Sequence, residues 1–196
     1  SDRRGEWYRY HHLLRELLQA ELRRGDPDLI TELHSRAAVW YESNGMPEPA
    51  VDHAQAAGDA ERVARLVLDL MNPVWASGRV ETVQRWMEWL EERPLVRHYS
   101  AIAAHGALIS ALLGRPSEAE RWSAVAERLP ATGTLPDGST VAGTLAYLRA
   151  NLCRDGAEMM RSDAREAWDG LSPTSPYRTA MLYTEGLSYV LDGDPD

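Results

Sequence analysis

The sequence predicts an all-α protein, a superhelix of antiparallel helix pairs. Three observations predict it. Apolar residues recur at helical spacing in one segment after another, as in Val63, Leu66, Val67 and Leu70. The segments are joined by connections of a few residues that end on glycine, and an acidic residue then opens the next segment, at the positive end of a helix. Finally, Gly114, Gly156 and Gly193 lie 42 and 37 residues apart, a period at which stacked helix pairs bury faces that a lone pair leaves bare.

The elements follow in order. Gly5–Tyr10 alternates and is aromatic, which fits one short N-terminal strand. The next segment carries Leu14, Leu17, Leu18 and Leu22 on a helical stripe and ends at Gly25. Asp26-Pro27 restarts the chain: Asp accepts from free amides at a helix start, and Pro suits the first helical position. That helix turns Ile30, Leu33, Ala37, Trp40 and Tyr41 toward one side and closes at Asn44-Gly45. A short helix spans Pro47 to Ala57, and Asp59 caps the next, which Pro73 is expected to break or kink. From Arg79 a further helix shows Val83, Trp86, Met87 and Leu90, and Pro94 stops it.

The stretch from about Val96 to Leu113 is apolar on more than one face and rich in alanine, so it reads as a helix sandwiched between neighbours. Gly114-Arg115-Pro116 turns the chain into a return helix bearing Ala119, Trp122 and Ala126. Pro130–Thr140 is the one long loop, and Ser139 or Thr140 caps a helix carrying Val141, Leu145, Leu148 and Leu152. Helices bearing Met160, Ala164, Ala167 and Trp168, and then Tyr177 to Leu191, complete the chain. Each buried Leu, Val or Trp contributes on the order of 1.5–3 kcal/mol, so stacking outweighs local propensity.

Composition narrows the function. The chain has 196 residues and a formal charge of −9, which disfavours a polyanion-binding role. All 21 basic residues are arginine, so neither a Schiff-base lysine nor a phosphate-cradling lysine is present. Cys153 is the only cysteine; it excludes an internal disulfide and a cysteine zinc cluster and fits a reducing, cytoplasmic setting. No apolar run is long enough for a membrane span.

Two resemblances sharpen this. "AAHGALISALLGRPSEAERWSAVAERLP" (Ala103 to Pro130) resembles a tetratricopeptide repeat, with Ala107, Gly114, Ala119 and Ala126 at its small-residue positions. "EGLSYVLDGD" (Glu185–Asp194) resembles the first half of another, with Gly186, Tyr189 and Gly193 in place. The early tryptophan of that repeat is missing and the spacing exceeds its period of about 34, so the copies are divergent. The resemblance implies a right-handed superhelix.

The second covers Trp7 to Val67, through "WYRYHHLLRELLQAELRR", a helix ending in "WYESNG" and "PAVDHAQAAGD". It is similar to MalT-like, LuxR-type ATP-dependent transcriptional regulators. The resemblance implies the end of a winged-helix and linker region over 1–25, a helical linker and first helix pairs over 26–95, and tetratricopeptide-like repeats over 96–196. It implies a fragment of such a regulator, with ATP bound at a nucleotide-binding domain outside this chain and a helix-turn-helix elsewhere. No cofactor is expected in the chain itself. The expected partners are the parent's other domains and an unidentified inducer or protein, with no DNA bound by this segment alone. The alternatives are a free-standing tetratricopeptide-type scaffold and an all-helical hydrolase or transferase.

Few side chains invite a chemical role. His11 and His12 are adjacent on a helix and diverge by about 100°, so packing or capping is the plainer reading. His98 and His105 are seven apart and share a face without a third ligand in view. Asp52-His53 and the many glutamates come with no nucleophile motif, so no catalytic residue is assigned and the chain is expected not to be an enzyme. Cys153 reads as a small buried hydrophobe. Arg3, Arg4, Arg9, Arg15, Arg23 and Arg24 are interspersed with acids, as on a salt-bridged face. Trp75, Trp89 and Tyr147 fall off the clearest stripes. They are the candidates to line the concave side and meet a ligand or partner; packing against a neighbouring helix is the competing reading.

Overall fold

The computed structural model describes residues 11–93 and 99–193. Among these residues it holds ten α-helices and no strand, with an isolated antiparallel bridge between Thr134 and Thr140. The strand expected over Gly5–Tyr10 lies outside the described residues, as do Val96 and His98 at the expected start of the alanine-rich helix. The chain divides into two compact units, Ser1–Val63 and Ala64–Asp196.

The first unit contains α1 (His12–Gly25), α2 (Pro27–Ser43), α3 (Pro47–Ala57) and the first turn of α4 (Ala60–Ala76). Asp26 starts α2 as its sequence predicts: its Oδ1 accepts the Leu29 N–H at 3.0 Å. The α2–α3 reversal runs through Gly45 at φ 70°, a conformation that costs glycine little. Ala38, Ala50, Val51 and Ala54 are fully buried, and these small side chains let α2 and α3 approach closely. Asp59 Oδ1 accepts the Arg62 N–H at 3.1 Å, and the Arg62 guanidinium donates to Asp59 Oδ2 and Glu42 Oε2, which ties the start of α4 to the end of α2. The α1 stripe forms its helix but is not buried: Leu13, Leu14, Leu17 and Leu18 are all exposed, and no described element covers them.

In the second unit α4 continues through Pro73 to Ala76, against the expected break. Proline removes one backbone hydrogen bond, a cost of about 3 kcal/mol. Met71 and Val74 on either side are each 1% exposed, and their burial offsets that cost. The stripe of α5 (Val80–Glu91) is buried as its spacing predicts, at Val83, Trp86, Met87 and Leu90. Every residue from Ile102 to Ser110 of α6 (Ser100–Leu112) is buried, as its two-faced apolar pattern requires. Its hairpin partner α7 (Pro116–Glu127) lays Trp122 over Gly106; a Cβ at Gly106 would come within 2.7 Å of the indole.

The second hairpin pairs α8 (Val141–Leu152) with α9 (Ala157–Gly170), and α10 (Arg178–Leu191) packs on α9. Here backbone meets backbone: a Cβ on Gly143 would lie 2.5 Å from the Gly170 carbonyl carbon. Thr140 caps α8, its Oγ1 accepting the Gly143 N–H at 3.0 Å while its own N–H donates to Gly170 O at 2.8 Å. The long loop is anchored by Leu135, which is buried, and by Ser139 Oγ, which accepts the Ser172 N–H at 2.9 Å. The left-handed residues closing α6, α8 and α10 are Gly114, Cys153 and Gly193, which are 39 and 40 residues apart. Gly156, from which the sequence period was measured, stands instead just before α9. Cys153 is half-buried in this turn and is not the core residue its apolar neighbour suggests.

Candidate binding site

The three aromatic candidates have different surroundings. Trp75 is half-buried near the end of α4. Trp89 on α5 is half-buried beneath Arg93, whose guanidinium carbon sits 3.3 Å from the ring centroid. Tyr147 on α8 is nearly buried and lies against Tyr177, with ring centroids 5.3 Å apart. Of the three, Tyr147 alone lines the two cavities described next.

The first cavity gathers several polar side chains. His105 on α6, Asp137 and Ser139 in the long loop, Thr144 and Tyr147 on α8, and Tyr177 before α10 converge on it. His105 is 2% exposed. A carbonyl can only accept, so His105 Nδ1 donates to Ala101 O at 3.1 Å and Nε2 carries the lone pair. Burial holds the pKa of His105 below its ordinary value, against the opposing pull of Ala101 O and Asp137, so the ring is neutral at pH 7. Asp137 accepts from the Ser139 N–H and hydroxyl, each at 2.9 Å. Burial pushes both phenols up, helped by Tyr177 at Tyr147 and by Asp137 at Tyr177, so both keep their proton at neutral pH. The free space is about 10 Å³, room for about one water. Asp137, Ser139 and Ser172 in this way anchor the long loop.

The second cavity adjoins the first across Leu108 and Tyr147. It is an apolar cleft of about 270 Å³ between α6, the start of α7 and α8, lined by Leu112, Ala119, Leu148 and Leu152 among others. Asn151 Nδ2 donates to Tyr147 O at its rim. It approaches the lower end of the range of small-molecule sites, and its walls are rigid helix.

His11 and His12 lie side by side with ring centroids 4.3 Å apart, and both are exposed. His98 lies outside the described residues. Among the described residues no group of three or more His, Cys, Asp or Glu side chains is placed to hold a metal, and no helix is long and apolar enough to cross a membrane. Of the N-terminal arginines, Arg24 pairs with Glu21 at 3.5 Å; the side chains of Arg3, Arg4, Arg9, Arg15 and Arg23 lie outside the description. Sequence reasoning missed Asp137, Tyr177 and the environment of His105. These residues are tens of positions apart, and the one local signal was Ser139-Thr140 as a cap.

The second unit thus presents helical hairpins with an apolar cleft beside Tyr147. Residues 1–30, which include α1 and the start of α2, match the MalT winged helix domain. The chain is similar to the serine/threonine-protein kinase PknK of Mycobacterium tuberculosis, 44% identical over 61 residues, which are 31% of this chain and 6% of that protein. It is similar to the HTH-type transcriptional regulator MalT of Klebsiella pneumoniae, 35% identical over 74 residues, 38% of this chain and 8% of the relative. MalT of Vibrio parahaemolyticus is 27% identical over 92 residues, 47% of this chain and 10% of the relative. The chain thus spans a tenth or less of the curated relatives it matches. No solved structure matches it.

Proposed function

We propose that this chain is the sensor and partner-binding segment of a MalT-like, LuxR-type transcriptional regulator, without catalysis of its own. The observation that carries the reading is the winged-helix match over residues 1–30 leading directly into paired helices. On this reading ATP binds a nucleotide-binding domain elsewhere in the parent, DNA is held by a separate helix-turn-helix, and the protein works in the cytoplasm. The net charge of −9 supports a segment that does not itself hold DNA. The cleft beside Tyr147 is the place where an inducer or partner biases the parent between inactive and active states.

The test is made in the parent protein. Leu112 is 44% exposed on the cleft wall, so Leu112→Glu changes the cleft with little effect on the core. The expected result is a lost response of a target-promoter reporter to the activating signal with an unchanged melting temperature. An unaltered response refutes a sensing role for this cleft.

A second reading is favoured by the similarity to PknK: the same N-terminal helices serve as a joint to a kinase. A third is the free-standing tetratricopeptide-type scaffold. Sequencing the gene on both sides of the chain separates them. Flanking nucleotide-binding and helix-turn-helix segments support the first, a kinase domain the second, and neither the third.

A further inference from the structure

His34 on α2 and His53 on α3 meet Nδ1 to Nδ1 at 2.9 Å. Both are half-buried, and their ring centroids are 5.0 Å apart. Tyr41, also on α2, stacks on His53 with centroids 5.1 Å apart and planes at 19°. A contact of this length between two imidazole nitrogens needs one hydrogen between them, donated by one ring and accepted by the lone pair of the other. Two states supply it. In the neutral pair, one ring carries its proton on Nδ1 and the other on Nε2. In the singly charged pair, an imidazolium donates to a neutral ring, a charge-assisted bond. The doubly charged pair supplies none: both Nδ1 atoms carry hydrogen, no acceptor remains, and two positive charges face each other at contact distance.

We propose that His34 and His53 form a proton-operated latch between α2 and α3, closed while the pair holds at most one extra proton and opened by the second. The surrounding groups favour the closed state. Burial, then the charge of His34, hold the pKa of His53 below its ordinary value, and Asp52 on the same helix opposes them only in part. Tyr41 stacks on His53, and the charge that α4 brings, on Arg62, is held between Glu42 and Asp59. The sign follows. Folded His53 resists a proton that the unfolded chain accepts near pH 6.5, so the latch stabilises fully above about that pH and its contribution is lost as pH falls through the folded pKa of His53. In the chain, this hairpin begins within the winged-helix match, which ends at residue 30, and leads into α4, which continues into the second unit. The latch therefore makes the connecting segment acid-responsive, whatever the parent's effector is.

The test uses the chain with ¹⁵N-labelled histidine, titrated from pH 8 to pH 5. The expected result is two macroscopic steps for the pair and a scalar coupling between the two Nδ1 nuclei across the hydrogen bond, present at high pH and lost at the second step. Amide exchange in α2 and α3, corrected for its intrinsic pH dependence, accelerates about tenfold or more as the coupling disappears. His34→Asn offers an amide oxygen to the His53 Nδ1–H and carries no second charge, so its α2–α3 amides stay protected to pH 5. Independent titration of the two rings near 6.5 with no coupling overturns the latch. So does acid-induced exchange that is equal in the native chain and in His34→Asn.

Discussion

Cys153 holds φ at 43°, the left-handed region, and is the only non-glycine with positive φ among the described residues. It follows α8 directly, one position earlier than Gly114 after α6 and Gly193 after α10. A side chain there costs roughly 1–2 kcal/mol of steric strain, against roughly 0.5–1 kcal/mol of backbone entropy that a glycine would lose on folding. Cys153→Gly is therefore expected to stabilise the fold by about 0.5–1 kcal/mol, read as a higher urea midpoint at unchanged slope. A lower midpoint would mean that the half-buried thiol contributes more packing than its backbone strain costs.

At the scale of the element, the two hairpins are tightened by different devices. In α6–α7 the close approach is side chain on backbone: the Trp122 ring and the Met87 methyl crowd Gly106. In α8–α9 it is backbone on backbone, at Gly143 and Gly170. An alanine gains up to about 1 kcal/mol in helix propensity over glycine at either site. At Gly143 there is no flexible atom to give way, so the whole α8–α9 contact must open, with the Thr140 bonds to Gly170. Gly143→Ala is expected to lose about 1–3 kcal/mol net by denaturant unfolding, and Gly106→Ala less, because the groups it meets, the Trp122 ring and the Met87 methyl, are side chains that can shift where the Gly170 backbone cannot. The order of the two losses is the measurement; the reverse order would place the critical seam in α6–α7. Neither seam was readable as a contact in the sequence, where both glycines sit inside apolar helical patterns. What was readable is the periodicity: Val83, Trp86, Met87 and Leu90 point inward as spaced, since one helix face follows from the chain alone. Pro73 shows where a local rule yields, to the burial of Met71 and Val74. Leu14, Leu17 and Leu18 show the opposite limit, because spacing gives a face and does not supply its cover.

Over the whole molecule, the features that sequence could not supply are those assembled from distant segments. His34 meets His53 from another helix, and His105 is enclosed by Asp137 from a loop and Tyr177 from beyond α9. Of the aromatic candidates, Tyr147 was visible as an off-stripe residue, but its role in separating a polar knot from an apolar cleft needed the fold. Both histidine sites make acid a destabilising condition, and they lie in different units: His53 in Ser1–Val63, His105 in Ala64–Asp196. His105 has its folded pKa lowered chiefly by burial, so the unfolded chain binds its proton first. Its stabilising contribution is complete above about pH 6.5 and declines as pH falls toward the folded pKa. For as long as the buried ring stays neutral, each pH unit below 6.5 costs about 1.4 kcal/mol. Trp75, Trp86, Trp89, Trp122 and Trp168 all lie in the second unit, so tryptophan fluorescence follows mainly that unit. Urea unfolding by fluorescence is expected to show stability falling between pH 6.5 and pH 5, in part from this residue. His105→Asn keeps a donor for the Ala101 carbonyl and gains no proton; it is expected to start less stable at pH 7.5, from imperfect packing, and to show a flatter decline. A variant that declines as steeply as the native chain would show that the ring takes up its proton without opening the fold, and that the polar knot around Asp137 accommodates an imidazolium.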